Sequence, residues 1–388
     1  MKVALVCDWL TNVGGAEKVL LEIHRLFPNA PIYTSKYDKK GIDWFLDADI
    51  RTGWLQFFPT SLRRFLGVFR QIYFSHLDLS GYDLVISVTG AEAKSVKCGD
   101  TIHICYCHVP TQYYWQMYDS YLKQPGFGVL NPFVRFWFRL LVRPLRKADF
   151  RAAQRPTCFV TISKHAKQQI KTYYKRNAFI IHPPVEISNF TIKKGNCQTK
   201  LKHKTAKSKE GNYPQLVENL DLSKTYLTTS RQVNWKRLDL CIKACLKAKQ
   251  PLLIIGEGPE HKNLVHLAKG SPLITFLPLM TKTELKFYLS HAKGFLFPSL
   301  EPFGIAPVEA LSAGCPVIAF AKGGALDYIQ PGKNGLLFPR QSTASLVTAL
   351  KKFDTLKFNR QVVSDSVTHF SVQRFNQELL ELIHEQTC

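Results

Sequence analysis

Two glutamates, Glu301 and Glu309, are separated by seven residues in the stretch SLEPFGIAPVEALSAG. The first falls in a strand-to-helix loop. The second is expected in the first turn or so of a helix that opens near Pro307 and closes before Gly314. A carboxylate beside a helix start suits pairing with sugar hydroxyls, and the free amides of Phe303, Gly304 and Ile305 suit phosphate oxygens. Glu309 alone would read as a favourable acid near a helix start. A second stretch, SRQVNWKRLD, holds Arg231 and Lys236 on one loop leading into a helix. Both can converge on one phosphate group, arginine gripping two oxygens and lysine acting as a point charge. The plainer reading is a solvated basic loop.

Three weaker signals accompany these. Gly14 and Gly15 stand at a helix start, where small residues let backbone N–H groups approach an anion; a tight turn explains them equally well. His108 emerges at the end of the apolar run Ile102 to Cys107. It is either structural or placed to donate to a substrate hydroxyl or orient a leaving group. Gly256 begins the turn Gly256-Glu257-Gly258-Pro259 after another apolar run, Leu252 to Ile255.

The elements that must position these residues are short strands alternating with helices. Apolar runs occur at Val3 to Cys7, Asp83 to Val88, Ile102 to Cys107 and Cys158 to Ile162, each followed by polar or glycine residues and then helix-like sequence. After His182-Pro183-Pro184 the alternation pauses. It restarts with strands expected at Thr225 to Thr229, Leu252 to Ile255, Ile274 to Leu277, Gly294 to Phe297 and Pro316 to Phe320. Helices are expected over Glu17 to Phe27, Lys236 to Ala248, Thr283 to Ala292 and Val372 to His384. This alternation implies α/β architecture with doubly wound parallel sheets, in which ligands bind outside the carboxyl ends of the strands. The boundaries expected are an N-terminal domain over 1–188, a linker over 189–222 containing a lysine-rich excursion, a C-terminal domain over 223–370, and a final amphipathic helix over 371–388 packing back toward the N-terminal domain. Two such sheets would face each other across a cleft.

The 388 residues carry 52 Lys and Arg against 29 Asp and Glu, a net charge of +23. The surplus favours anionic partners. No run is apolar and long enough to cross a bilayer, and the first residues run straight into a strand, without the pattern of a signal peptide. The expected location is therefore the cytoplasm. Ten cysteines without a C-x-x-C pair suit a reducing compartment; Cys241 and Cys245 read as buried thiols rather than metal ligands. The stretch NPFVRFWFRLLVRPLRKADF spaces Arg135, Arg139, Arg143 and Arg146 by four, four and three among aromatic and aliphatic residues. WLQFFPTSLRRFLGVFRQIYF is likewise basic and aromatic. Such segments either pack as ordinary helices or lie on an anionic membrane, which would make the protein peripheral on the inner face.

Taken together, EPFGIAPVE, SRQVNWKRLD, GGAE at Gly14 to Glu17, YCHVP around His108, HPPVEISNF, GEGPE and KGGALDYIQPGKNGLLF resemble the retaining GT-B glycosyltransferases of family four, the glycosyl transferases group 1. The likeness covers most of the chain and is greatest to mannosyltransferase-like members that build bacterial surface polysaccharides. It departs at Gln112, where arginine is expected, at Glu186 in place of aspartate, and at Asp327 in place of glutamate.

The resemblance implies two Rossmann-like domains and a nucleotide-diphosphate sugar donor held by the C-terminal one. Glu309 would accept from ribose hydroxyls. Glu301 and the backbone of Phe303, Gly304 and Ile305 would hold sugar and diphosphate, with Gly14, Gly15 and Gly256 lining the donor site. Arg231 and Lys236 would neutralise the departing diphosphate in place of a divalent metal, so no metal cofactor is expected. His108 would touch the sugar. The acceptor would be a saccharide or a lipid-linked saccharide. Two other readings stand beside this one: a sugar-nucleotide epimerase on the same architecture, and a non-enzymatic basic nucleic-acid-binding protein. The second lacks a recognisable reading helix or stacking platform, so no nucleic-acid partner is expected.

Overall fold

Short aliphatic runs buried on both faces build two parallel sheets, as strands covered by helices on each side require. The computed structural model describes residues 1–60, 66–123, 128–187 and 220–387. The chain divides into two units, Met1–Pro184 with Val372–Cys388, and Val185–Ser371. The lysine-rich stretch and nearly all of the expected linker lie outside the described residues.

The first unit holds β1 (Val3–Cys7), α1 (Gly15–Leu26), β2 (Ile32–Thr34), β3 (Ile50–Thr52), α2 (Gly67–His76), β4 (Leu84–Thr89) and β5 (Ile102–Cys107). It continues with α3 (Tyr118–Lys123), α4 (Asn131–Ala152), β6 (Cys158–Thr161), α5 (Lys164–Tyr174) and β7 (Phe179–Ile180). The strands form a seven-stranded parallel sheet in the order β3-β2-β1-β4-β5-β6-β7. In α1, Val19, Leu20 and Ile23 recur at helical spacing and are fully buried.

The second unit holds β8 (Tyr226–Thr229), α6 (Leu238–Ala248), β9 (Leu252–Ile255), α7 (His261–Ala268), β10 (Ile274–Leu277), α8 (Lys282–His291) and β11 (Gly294–Phe297). It continues with α9 (Ile305–Ser312), β12 (Val317–Phe320), α10 (Ala325–Tyr328), β13 (Gly335–Phe338), α11 (Thr343–Phe353) and α12 (Arg360–Asp365). Its six-stranded parallel sheet runs β10-β9-β8-β11-β12-β13. A capping box starts α8: Thr281 accepts from the Glu284 amide, and Glu284 accepts from the Thr281 amide. Cys241 and Cys245 are fully buried in the core formed by α6, α11 and the sheet, and burial pushes the Cys245 thiol up to about 12. The last helix, α13 (Val372–Thr387), belongs to the first unit, where it packs on α1 and places Phe375 edge-on to Tyr106.

The structure adds β2, β3, β7 and β13 to the strands expected. It also corrects the start of α9, which opens at Ile305 and leaves Pro307 at the third position. The residues expected to begin a helix at Lys236 instead form a 3-10 turn, Asn234–Lys236, and Arg237 takes a left-handed conformation (φ 55°) before α6 starts.

A buried ion pair ties the first unit together. Lys94 and Asp149 have side chains 1% and 0% exposed, with Nζ 2.6 Å from Oδ1. Lys94 also donates to the Ala91 carbonyl and to Thr111 Oγ1. Asp149 accepts from Thr111 Oγ1 (2.8 Å), Trp115 Nε1 (2.7 Å) and Tyr174 Oη (2.9 Å). The loops after β4 and β5 are thus joined to α4 and α5. Removing one member leaves a buried charge uncompensated, which costs about 3–5 kcal/mol. Asp149→Ala should lower the unfolding free energy by about that amount in urea titration. The paired replacement Lys94→Met with Asp149→Leu should cost less. Wild-type stability in Asp149→Ala would contradict the assignment.

Candidate active site

In a doubly wound sheet, a crevice opens where consecutive strand connections leave in opposite directions. In the second unit that point lies between β8 and β11, since β9 and β10 extend the sheet from β8 and β12 and β13 extend it from β11. The loops leaving those two strands carry the residues singled out above. Lys236 Nζ lies 2.5 Å from Glu301 Oε1, and Ser299 Oγ donates to the same oxygen at 2.8 Å. The lysine side chain is 23% exposed and the glutamate 20%, so a ligand can reach both. Arg231 is exposed on the same loop as Lys236, its guanidinium 5.7 Å from the Trp235 ring centre.

The loop carrying Glu301 is clamped from below. Gly324 donates its amide to the Glu301 carbonyl at 2.9 Å. A Cβ on Gly324 would sit 2.3 Å from Phe303 Cα, and one on Gly323 2.3 Å from the Glu301 carbonyl oxygen. The Phe303 ring is buried against Tyr328 and Phe370, and Tyr328 Oη donates to the Phe303 carbonyl at 2.9 Å. Burial, with Glu301 and Asp327 nearby, holds the Tyr328 phenol well above its usual range, so it stays a donor. Phe303 therefore contributes backbone rather than ring. Gly304 then takes φ +89°, a conformation that disfavours other residues, and a Cβ there would meet Phe297 Cζ at 2.6 Å. No side chain caps α9, which leaves the amides at Ile305 open to an external acceptor. Glu309 is half-buried in the second turn of α9, not the first, because the helix starts earlier than Pro307 suggests.

Gly256 also supports this crevice. At φ +129° its Cβ would lie 2.3 Å from the Ser230 carbonyl oxygen, so glycine lets the β8 and β9 loops pass closely. Gln232, which sequence reasoning passed over, binds them together. It is fully buried, donates from Nε2 to the Gly256 carbonyl (2.5 Å) and from its amide to the Glu257 carbonyl (2.8 Å), and shares a 2.8 Å hydrogen bond with His261 Nδ1. Its neighbours Arg231 and Lys236 could have pointed to it only through their shared loop.

The corresponding point in the first unit lies between β1 and β4. Asp8 fills it. Its buried carboxylate accepts from Thr89 Oγ1 (2.9 Å) and the amides of Gly90 (2.9 Å) and Ala93 (2.8 Å), and burial raises its pKa. Gly14 precedes α1 with φ −160°, an extended conformation open to any residue, so no backbone constraint demands glycine there. Gly15 is the first residue of α1, and Glu17 in its first turn is buried. His108 follows β5 and donates its amide to the Thr89 carbonyl at 2.8 Å. Its ring Nε2 is enclosed without a hydrogen-bond partner, and burial lowers its pKa to about 4.

The four arginines spaced along α4 from Arg135 to Arg146 do not act alike. Arg139 and Arg143 are exposed. Arg146 turns inward, donating to the Tyr114 carbonyl at 2.6 Å and lying over Trp115 and Tyr118; Arg135 donates to the Lys123 carbonyl at 2.7 Å. Arg146 thus departs from the solvent-facing row that its spacing suggested.

Residues 217–365 match the family model for glycosyl transferases group 1. Among curated relatives, the glycosyltransferase YqgM of Bacillus subtilis is 33% identical over 105 residues, 25% of this chain and 29% of that protein. The alpha-1,3/1,6-mannosyltransferase alg2 of Schizosaccharomyces pombe is 23% identical over 386 residues, 85% of this chain and 69% of that one. The match thus spans less than a third of the first relative and just over two thirds of the second. Among solved structures, Anabaena Alr3699/HepE in complex with UDP superposes with a TM-score of 0.66 at 17% identity, covering 99% of this chain and all of that one, a likeness of fold. Residues 217–365 accordingly match a glycosyl transferases group 1 domain, and the chain has a GT-B architecture of two Rossmann-like parallel sheets.

Proposed function

We propose that this chain is a glycosyltransferase that moves a sugar, mannose-like in the first instance, from a nucleotide-diphosphate sugar to a saccharide or lipid-linked saccharide, with retention and without a divalent metal. The observation that carries the reading is the accessible Lys236–Glu301 pair at the β8/β11 crevice beside the uncapped start of α9. A diphosphate arriving there takes Lys236 from Glu301. Lysine and Arg231 then face the charge that grows on the leaving group, and the amides at Ile305 add dipoles of the same sign. Glu301, relieved of its cation, accepts from the sugar hydroxyls, and Glu309 accepts from the ribose. Gly256 keeps the neighbouring loop low enough to admit the donor.

Retention by front-face displacement accords with the carboxylates at the strand ends of the first unit. Asp8, Glu92 and Asp149 are buried and engaged, Asp8 with backbone amides, Glu92 with Arg70 at 2.9 Å and Asp149 with Lys94. His108 is neutral at physiological pH, and its Nε2 is enclosed without a partner at the end of β5. A mannose-like sugar accords with the likeness to alg2, a nucleotide donor with the UDP complex of HepE, and surface-polysaccharide synthesis at the cytoplasmic face with the motif resemblance.

Truncating one partner of a desolvated charge contact costs about 2–5 kcal/mol. Expressed in the transition state, that is roughly 30- to several-thousand-fold in rate. Lys236→Ala and Arg231→Ala should each lose turnover on this scale while keeping the wild-type melting temperature, and wild-type turnover should survive a chelator. Near-normal turnover in either variant would defeat the leaving-group role; loss of activity in chelator, restored by magnesium, would defeat metal independence.

The His108 ring should titrate near pH 4 by NMR and give no inflection in kcat/KM between pH 5 and 8. Its depressed pKa works against the fold in acid: the unfolded chain binds the proton from about pH 6.5 downward, so stability falls as pH drops toward 4. A titration near 6.5 would show that the ring is solvated rather than enclosed.

A further inference from the structure

We infer that the 3-10 turn Trp54–Phe57, α2 and the exposed side of α4 form a single membrane-binding face of the first unit, occupied by an anionic lipid bilayer. The stretches lie far apart in sequence, yet α2 packs on both the turn and α4, and Trp54 meets Phe69 edge-on at 6.0 Å. Large apolar side chains stand out of this face: Phe57 is 88% exposed, Phe69 47%, Phe133 65%, Phe136 62%, Trp137 43% and Leu140 57%. So much contiguous apolar exposure marks a surface made to be covered.

The charges select the cover. Arg139, Arg143, Lys147 and Arg151 are all exposed and recur every fourth residue, which stacks four like charges along α4. The only acidic residue of α4, Asp149, is buried on the opposite side, and neither the turn nor α2 contains one. Anionic headgroups relieve that repulsion while the aromatic and aliphatic side chains enter the acyl boundary. Aliphatic side chains among the aromatics offer no stacking platform for bases, which favours lipid over nucleic acid. Pro144 stands on the solvent side of α4, and no helix of the described residues is long and apolar enough to cross a bilayer, so the contact is interfacial. The inference is independent of the donor site.

The test is co-sedimentation of the full chain with vesicles of phosphatidylglycerol and phosphatidylcholine, and of phosphatidylcholine alone, at low and high salt. Binding should require the anionic lipid and weaken with salt. Arg139→Gln with Arg143→Gln should weaken it roughly 30-fold. Phe57→Ser and Phe136→Ser should each weaken it roughly tenfold or more. Donor hydrolysis in solution and the melting temperature should stay at wild-type values in every variant, which separates failure of this face from failure of the active site. Absence of binding to anionic vesicles by the folded protein would overturn the inference. So would equal binding by all variants, a preference for single-stranded RNA that the same variants abolish, or a solution dimer that the phenylalanine variants dissolve.

Discussion

The ion pair of Lys236 with Glu301 bridges the loops that leave β8 and β11, the two strands between which the second sheet changes direction. Every other feature of the candidate site is arranged around that bridge. Ser299 orients the carboxylate, Gly324 holds its backbone, and Gly304 turns the chain so that α9 begins at the same place. The pair is partly exposed to solvent, which screens it, so it is a modest contributor to stability and a ready exchanger of partners. A cation held by a neighbouring carboxylate and transferable to a ligand costs less to keep in place than one left bare.

The two sheets treat the same topological position differently. In the first unit, Asp8 closes the β1/β4 crevice with a full set of hydrogen bonds inside the protein. In the second, the β8/β11 crevice keeps two charged groups within reach of solvent. The first arrangement is a strut, and the second is the crevice to which the proposed diphosphate chemistry is assigned. The buried hub of Lys94 and Asp149 extends the strut, tying the loops after β4 and β5 to α5 and to α4, which carries part of the apolar face.

Much of this was legible in the sequence where local pattern suffices. Ile102–Cys107, Leu252–Ile255 and Gly294–Phe297 are strands with the bounds that their apolar runs imply, because central strands are buried on both faces, and the edge strand Ile274–Leu277 keeps its expected bounds too. The strands β2, β3 and β7 are two or three residues long, too short for a local pattern to mark them; they exist because they pair with the strand beside them. Arg146 shows the reverse limit: its spacing fits the exposed row, yet a carbonyl and two rings in another segment draw it inward. Gln232 and the Lys94–Asp149 pair were silent for the same reason, since their partners lie tens of residues away. Glu309 shifted by a turn because proline is tolerated throughout the first turn and so does not fix which residue begins it.

The most direct test of the central pair is calorimetric titration of a nucleoside diphosphate into the wild-type chain, Lys236→Ala and Glu301→Gln. If the lysine exchanges carboxylate for phosphate, Lys236→Ala binds roughly tenfold or more weakly, and Glu301→Gln, which frees the cation, binds at least as tightly as wild type. Wild-type affinity in Lys236→Ala, with the protein folded, would contradict the reading.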